Sequence, residues 1–312
     1  MASAEPNPIA PFVAPDREET LVAGDGTKIH VAHFAPRTTP RFTLVALHGF
    51  AVHSGRYGHF LAKLAEAGGA VTTFDCRGHG RSDGRRGYVK RFSAFHDDLD
   101  LVITSARQQT PATSLPLCLM GHSHGGTIVL DAVLSGRVTP DALVLVAPWV
   151  GLLMKPAAWK SAMSGIMSRL WPTLALDNEL KAEDGSRNPQ VIADFHKDPN
   201  NHHVAAARWY TEVLAAQARI RQNAAALAVP TLLLSAGQDR IVANPPLDAL
   251  AAAAPRFVQS KRYEGLCHEL LLEPEWPEVL ADVTRFLSSI SAQDARTAAA
   301  SPAVPAILHP TP

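Results

Sequence analysis

Cysteine is scarce in this chain, and the few present form no pattern. Among 312 residues only Cys76, Cys118 and Cys267 are cysteines. They are an odd set with no CxxC pair, which excludes a disulfide scaffold and a zinc ribbon and fits a reducing compartment. Net charge is missing as well. The 29 Lys and Arg balance the 29 Asp and Glu, for a formal net charge of +0. With no spare cations to neutralise phosphates, general nucleic-acid binding is excluded. No run of about 18 uninterrupted apolar residues exists, so no membrane span is expected. The N-terminus, MASAEPNPIAPFVAPDREET, has no basic n-region and no apolar h-region, so a signal peptide is not expected. The expected location is the cytoplasm. Gly-rich pieces such as GHGRSDG are not followed by Gly-Lys-Ser/Thr, which excludes a P-loop. No internal repeat is apparent.

What the chain does have is apolar content. Hydrophobic residues make up 46% and charged residues 19%, against about 25% charged in an average protein. That excludes a disordered chain. The length suffices for one large α/β domain or two smaller ones. Residues 1–16, rich in Pro and Ala, read as a flexible N-terminal arm, and residues 291–312, SAQDARTAAASPAVPAILHPTP, as a disordered tail. Between them, short apolar runs alternate with helical patterns. ETLVA and KIHVAHF are joined through GDGT, a hairpin turn. FTLVALHG (42–49), AVTTFD (70–75), LPLCLMG (115–121), ALVLVAP (142–148), TLLLSAG (231–237) and RFVQSKRY (256–263) follow as strands. Several are continuously apolar, as strands buried on both faces of a parallel sheet are. Helical patterns cover 57–67, 94–109, 125–134, 246–253 and 276–289. The alternation predicts an α/β fold, a mostly parallel sheet with helices on both faces, over 17–290. Residues 150–228 contain no convincing strand and read as a helical cap inserted between two sheet strands.

The strongest chemical signal is Gly121-His122-Ser123-His124-Gly125-Gly126. It lies between the strand LPLCLM and the helical run TIVLDAVL, the setting a nucleophile elbow requires. A sharp turn there forces the serine backbone into strain, and Gly121 and Gly125 let strand and helix approach. The helix N-terminus then favours negative charge near the serine oxygen. A serine needs a base, and in this arrangement the order is Ser, acid, His. Asp239, in GQDRIV, and His268, in EGLCHELL, each follow a predicted strand. His268 would take the Ser123 proton and Asp239 would orient its ring. A tetrahedral oxyanion needs two fixed N–H donors. The backbone of His124 supplies one, and that of Phe50, after Leu47-His48-Gly49, is placed to supply the other. With 14 histidines in the chain, His48, His53, His79, His122 and His124 are rivals by composition. Asp75 and Asp98 are rival acids, but both precede Ser123.

These residues, with HGFAVHSGRY (48–57), FDCRGHGRSDGRRGYV (74–89), GHSHGG (121–126), GQDRIV (237–242) and CHELLLE (267–273), resemble the α/β-hydrolase superfamily. Within it the chain is similar to the monoacylglycerol lipase/lysophospholipase branch of serine aminopeptidase S33-type hydrolases. The resemblance spans about residues 17 to 290. It implies an α/β-hydrolase fold and a Ser123-Asp239-His268 esterase of single-chain lipids, with oxyanion amides at Phe50 and His124. It also implies a hydrophobic acyl channel under a helical cap, and no metal or organic cofactor. The family often has a small residue at Phe50 and Met or Gln at His124. A bulky Phe50 narrows the expected acyl channel, and His124 adds polarity or a titratable group beside the oxyanion.

Some alternatives stay open at this stage. The substrate could be a lysophospholipid or a general carboxylic ester. The scaffold could be a cofactor-free haloperoxidase or a non-catalytic ligand-binding protein. The basic run Arg77–Arg91 reads either as a lipid-surface attractant or as a loop with internal Arg–Asp pairing. Met154, Trp159, Met163, Met167 and Trp171 read either as a surface for transient membrane contact or as packing of the cap on the core. Cys267 reads as a small packing residue. The oligomeric state is not readable from sequence.

Overall fold

The computed structural model describes residues 12–109, 115–151, 153 and 158–290, with side chains described from 163 in the last stretch. Most of the N-terminal arm, all of the tail, Met154 and the Trp159 side chain lie outside the described residues.

Chain order begins with β1 (Arg17–Val22), β2 (Lys28–Phe34), β3 (Phe42–Leu47), α1 (Gly58–Glu66), β4 (Gly69–Phe74) and α2 (Ser93–Gln108). It continues with β5 (Leu117–His122), α3 (His124–Leu134), β6 (Ala142–Val146), α4 (Ala158–Leu170), β7 (Ala175–Asp177) and α5 (Ala182–Gly185). Then come α6 (Pro189–Lys197), β8 (Val204–Ala206), α7 (Ala207–Asn223), β9 (Thr231–Ala236), α8 (Asn244–Ala253), β10 (Val258–Tyr263) and α9 (Trp276–Ser289).

Eight strands form one sheet in the order β1-β2-β4-β3-β5-β6-β9-β10. β1 and β2 form the hairpin that GDGT predicts, with Gly26 at φ 85° in the turn. β2 also pairs antiparallel with β4, and from β4 onward every pairing is parallel. β3, β5 and β6 are buried along their whole length. Their alternate side chains enter two separate cores. Val45, Leu47, Leu119 and Leu143 pack with α2 and α3 residues such as Leu99, Val102 and Ile128. Leu44, Ala46, Met120 and Val144 pack with Phe60 and Leu64 of α1 and Val283 and Phe286 of α9. Continuous hydrophobicity in the sequence is therefore the signature of a sheet covered twice. α9 shows the complementary pattern, with Val279, Val283, Phe286 and Leu287 buried on one helical stripe.

This order places a topological switch point between β3 and β5. The chain leaves β3 toward β4 on one side and returns as β5 on the other. In open parallel sheets such a crevice, at the carboxyl ends of the strands, is where ligands bind. Leu47 lies opposite Gly121 in the ladder, so the loops beginning at His48 and Ser123 emerge side by side.

The segment between β6 and β9 departs from the strand-free reading of 150–228. β7 and β8 pair antiparallel as a small separate ribbon, Ala175 opposite Ala206 and Asp177 opposite Val204. Three-residue strands as alanine-rich as ALD and VAA carry no alternation, so periodicity could not mark them. The ribbon is docked on the basic loop, where Ala206 N–H donates to Gly87 O at 2.8 Å. Gly87 has φ 64°, and a Cβ there would sit 2.1 Å from Val204 O.

Candidate active site

Ser123 stands between β5 and α3 with φ 50° and ψ −115°. A non-glycine residue held there stores about 1–3 kcal/mol of strain and persists only where its surroundings over-determine it. They do so here. Ser123 N–H donates to Val146 O at 3.0 Å, and its carbonyl accepts from Thr127 N–H at 3.1 Å and Trp149 N–H at 3.0 Å. The two flanking glycines are required by contact. A Cβ on Gly121 would lie 2.5 Å from Gly125 O, and one on Gly125 would lie 2.6 Å from both Leu47 O and His48 O. Ser123 thus sits at the N-terminus of α3, at the switch point, on the wall of a cavity of about 430 Å³.

The loops after β9 and β10 bring Asp239 and His268 together. Asp239 Oδ1 accepts from the Ile241 and Val242 N–H groups, both at 2.8 Å. Its Oδ2 accepts from His268 Nδ1–H at 2.7 Å. A carboxylate only accepts, so the His268 proton is on Nδ1 and Nε2 is left as a base. His268 lines the same cavity as Ser123. Burial pushes the Asp239 carboxyl up, but the His268 charge and hydrogen bond and the two amides outweigh it and hold it below the usual carboxylate range. Burial pushes His268 down, and the charge and hydrogen bond of Asp239, with Glu269, raise it above the usual imidazole value.

His48 shapes the loop that precedes Phe50. Its Nδ1–H donates to Gly49 O at 2.6 Å, and its Nε2 accepts from Cys76 N–H at 2.9 Å. Burial drives this imidazole down to about 4, so it is neutral with one tautomer. In a trans peptide the carbonyl and the next N–H point opposite ways. Anchoring Gly49 O therefore fixes the direction of the Phe50 amide. A Cβ on Gly49 would lie 3.4 Å from Ser123 Cβ, so this backbone runs directly beside the serine.

The rival residues have other partners. Asp75 accepts from Ser54 N–H, Ser54 Oγ–H and Arg81 N–H. Asp98 is bound by both Nε–H and Nη2–H of Arg77 at 2.6 Å. With Arg77 also on Asp25 and Arg81 on Glu18, these two arginines of the basic run are paired with acids of α2 and the hairpin, outside the run itself. His53 Nε2 pairs with Asp198 at 2.6 Å. His122 Nε2–H donates to His268 O at 3.2 Å, under burial that lowers it to about 4. The His124 ring does not line the cavity. It is packed among Phe50, Phe92, Phe95, Trp149 and Trp209, and burial takes it down to about 3. It brings no charge near neutral pH, contrary to the expectation of a titratable group at the oxyanion.

Sequence reasoning missed two buried anchors in motifs it had already singled out. Tyr57, in HSGRY, donates its hydroxyl to Glu269 at 3.1 Å and lies 3.2 Å from His122 Nδ1. Glu273, in CHELLLE, is fully buried. It accepts from Ser186 Oγ–H and Arg187 Nε–H, each at 2.6 Å, from Arg187 N–H at 2.9 Å and from Cys267 N–H at 3.3 Å. Glu269 N–H donates to Gly185 O at 2.8 Å. Together these bonds fasten the 185–187 segment to the loop carrying His268. Cys267 is a buried free thiol whose pKa burial raises, in keeping with a packing role. Among the described residues no cluster of three or more His, Cys, Asp or Glu is arranged to hold a metal ion.

The cavity wall is mostly apolar, with Val52, Met163, Met167, Leu174, Leu176 and Ile241 among its residues, and Arg56, Lys181 and Glu269 add a polar side. A strained serine at the switch point of a parallel sheet, with an Asp–His pair on the loops after the last two strands whose histidine lines the same cavity, is the layout of an α/β-hydrolase. Residues 38–275 match the family described as serine aminopeptidase, S33. A monoacylglycerol lipase of Mycolicibacterium smegmatis is 34% identical over 281 residues, covering 89% of this chain and 99% of that one. Phospholipase YtpA of Bacillus subtilis is 28% identical over 252 residues, covering 79% and 95%. The crystal structure of a Paleococcus ferrophilus monoacylglycerol lipase superposes with a TM-score of 0.75 at 27% identity, covering 84% of this chain and 99% of that one. The chain belongs to the serine aminopeptidase S33 family of α/β-hydrolases.

Proposed function

We propose that this protein is a carboxylic ester hydrolase of single-chain lipids, with monoacylglycerols as its principal substrates and Ser123, Asp239 and His268 as its triad. The observation that carries this reading is that His268, bonded to Asp239, lines one largely apolar cavity together with a strained Ser123. His268 Nε2 takes the Ser123 proton as Oγ attacks the ester carbonyl, and the backbone amides of Phe50 and His124 hold the resulting oxyanion. Asp239 keeps the ring in the correct tautomer and stabilises the imidazolium. His268 then protonates the leaving alcohol, and water, activated by the same ring, releases the fatty acid. The 34% identity to a monoacylglycerol lipase supports the choice of substrate.

Residues 150–228 act in this reading as a cap over the acyl site. Ile166, Leu170 and Trp171 are exposed apolar side chains on and just after α4, suited to transient contact with a lipid surface. Among the described residues no helix is long and apolar enough to cross a membrane. The cytoplasm is the proposed location.

The test is Ser123→Ala, which should fold and lose turnover of a short p-nitrophenyl ester and of a monoacylglycerol. Full activity in that variant would sink the assignment. A lysophospholipid is the second reading, favoured by Arg56 and Lys181 at the cavity wall and by the likeness to a phospholipase. Comparing a monoacylglycerol with a lysophosphatidylcholine of equal chain length separates the two.

A further inference from the structure

Three buried aromatic side chains line the cavity together with Ser123. Phe50 and Trp209 stack with ring centroids 3.7 Å apart and planes 19° apart. Trp149 lies 5.5 Å from Trp209 at 31°. All three line the cavity, and none is more than 9% exposed. They come from separate parts of the chain. Phe50 follows β3, Trp149 follows β6, and Trp209 lies in the first turn of α7. Two of them are locked to the serine's own backbone region. Trp149 N–H donates to Ser123 O at 3.0 Å, and a Cβ on Gly49, next to Phe50, would lie 3.4 Å from Ser123 Cβ.

The His124 ring packs against all three of these aromatic side chains. That ring is buried and itself packed edge-on by Phe92 and Phe95. Other lining side chains are exposed, including Met163 and Leu176 at 42% and 40% exposure. The lining thus has a buried aromatic part, tied to the Ser123 backbone through Trp149, and an exposed part on α4 and the β7–β8 ribbon.

We infer that Phe50, Trp149 and Trp209 are specificity-determining residues that admit only an unbranched acyl chain beside the carbonyl and turn it toward the α4 rim. This rests on the esterase reading of Ser123 and adds a selectivity to it. A straight chain presents one methylene to the wall at the carbon next to the carbonyl. A branched or cyclic acyl group presents two substituents there, and one of them must displace a packed ring. Interiors packed this densely do not accommodate an extra carbon cheaply. A single methylene in a tight apolar pocket is worth roughly 10- to 200-fold in discrimination.

The test uses two p-nitrophenyl esters of equal carbon number, the hexanoate and the 2-ethylbutyrate. Each kcat/KM is divided by the ester's alkaline hydrolysis rate, which removes the intrinsic effect of branching. The wild-type protein should favour the linear ester by about 100-fold, and Trp149→Leu and Trp209→Leu should each narrow that ratio by about tenfold. Trp149→Phe and Trp209→Phe, which keep a ring, guard against misfolding and should narrow it less. Melting temperature and labelling by a fluorophosphonate probe establish that each variant is folded with a reactive serine. An unchanged ratio in folded, labelled Leu variants overturns the proposal, as does a wild-type ratio near one. No turnover of any ester and no labelling of the wild type would instead overturn the esterase reading beneath it.

Discussion

Asp239→Asn is the exchange whose outcome the hydrogen-bond pattern dictates most closely. Asp239 uses both oxygens, Oδ1 for the Ile241 and Val242 amides and Oδ2 for His268 Nδ1–H. An asparagine keeps the shape but has only one oxygen. Two backbone donors compete with one imidazole for it, so the oxygen stays with the amides and the NH₂ turns toward His268. Facing a donor, Nδ1 must become the acceptor and the ring proton moves to Nε2. The base that should take the Ser123 proton then has no lone pair available. In Ser-His-Asp enzymes this tautomer error costs about 10⁴ in kcat, or about 5.4 kcal/mol of transition-state stabilisation. The fold should barely notice, because the backbone bonds survive. The assay is kcat for p-nitrophenyl butyrate alongside the melting temperature of both proteins. A folded Asp239→Asn protein that loses less than tenfold in kcat would refute the reasoning.

Three further outcomes follow from the same geometry. The active form needs neutral His268, and burial, outweighed by the Asp239 charge and hydrogen bond, leaves its pKa raised. Activity should therefore fall as pH drops through a midpoint above the ordinary imidazole value of about 6.5. A kcat/KM profile whose acid limb lies below pH 6 would contradict this. Gly121→Ala puts a methyl 2.5 Å from Gly125 O, which should cost roughly 1–3 kcal/mol and most of the activity; an unchanged melting temperature would show that the elbow is looser than described. Glu273→Ala takes the acceptor from Ser186 and the Cys267 amide and leaves Arg187, which is half-exposed, paired with Glu275 alone; it should cost roughly 1–3 kcal/mol in denaturant unfolding together with a fall in kcat. Wild-type stability in that variant would remove Glu273 as the anchor of the His268 loop.

The parts of the fold that sequence made legible are those governed by local pattern. β2 occupies the run read as KIHVAHF, and α9 spans the residues read as helix, because each has a single apolar face or two buried ones. The Gly121–Ser123–Gly125 turn was legible because its glycines answer contacts within a few residues and with one neighbouring strand. What local pattern could not carry were contacts between distant segments. Phe50 looked merely bulky. Its meaning comes from Trp209, which stacks on it from a helix 159 positions later. Glu273 is the last residue of CHELLLE and nothing local marks it as buried, because its partners Ser186 and Arg187 lie nearly ninety residues upstream. The β7–β8 ribbon escaped because a three-residue ladder is specified by its partner and by the loop at Gly87, not by its own composition. For His124 the sequence suggests added polarity or a titratable group beside the oxyanion, and an aromatic surround assembled from α2, α7 and the loops after β3 and β6 keeps the ring neutral.

The most direct test of the account is to identify the residue that carries the acyl group. The wild-type protein is treated with a fluorophosphonate probe, digested, and the modified peptide sequenced by mass spectrometry, with Ser123→Ala processed in parallel. A single adduct on Ser123, absent from the alanine variant together with monoacylglycerol turnover, is the predicted result. An adduct on another residue, or undiminished turnover in Ser123→Ala, would contradict it.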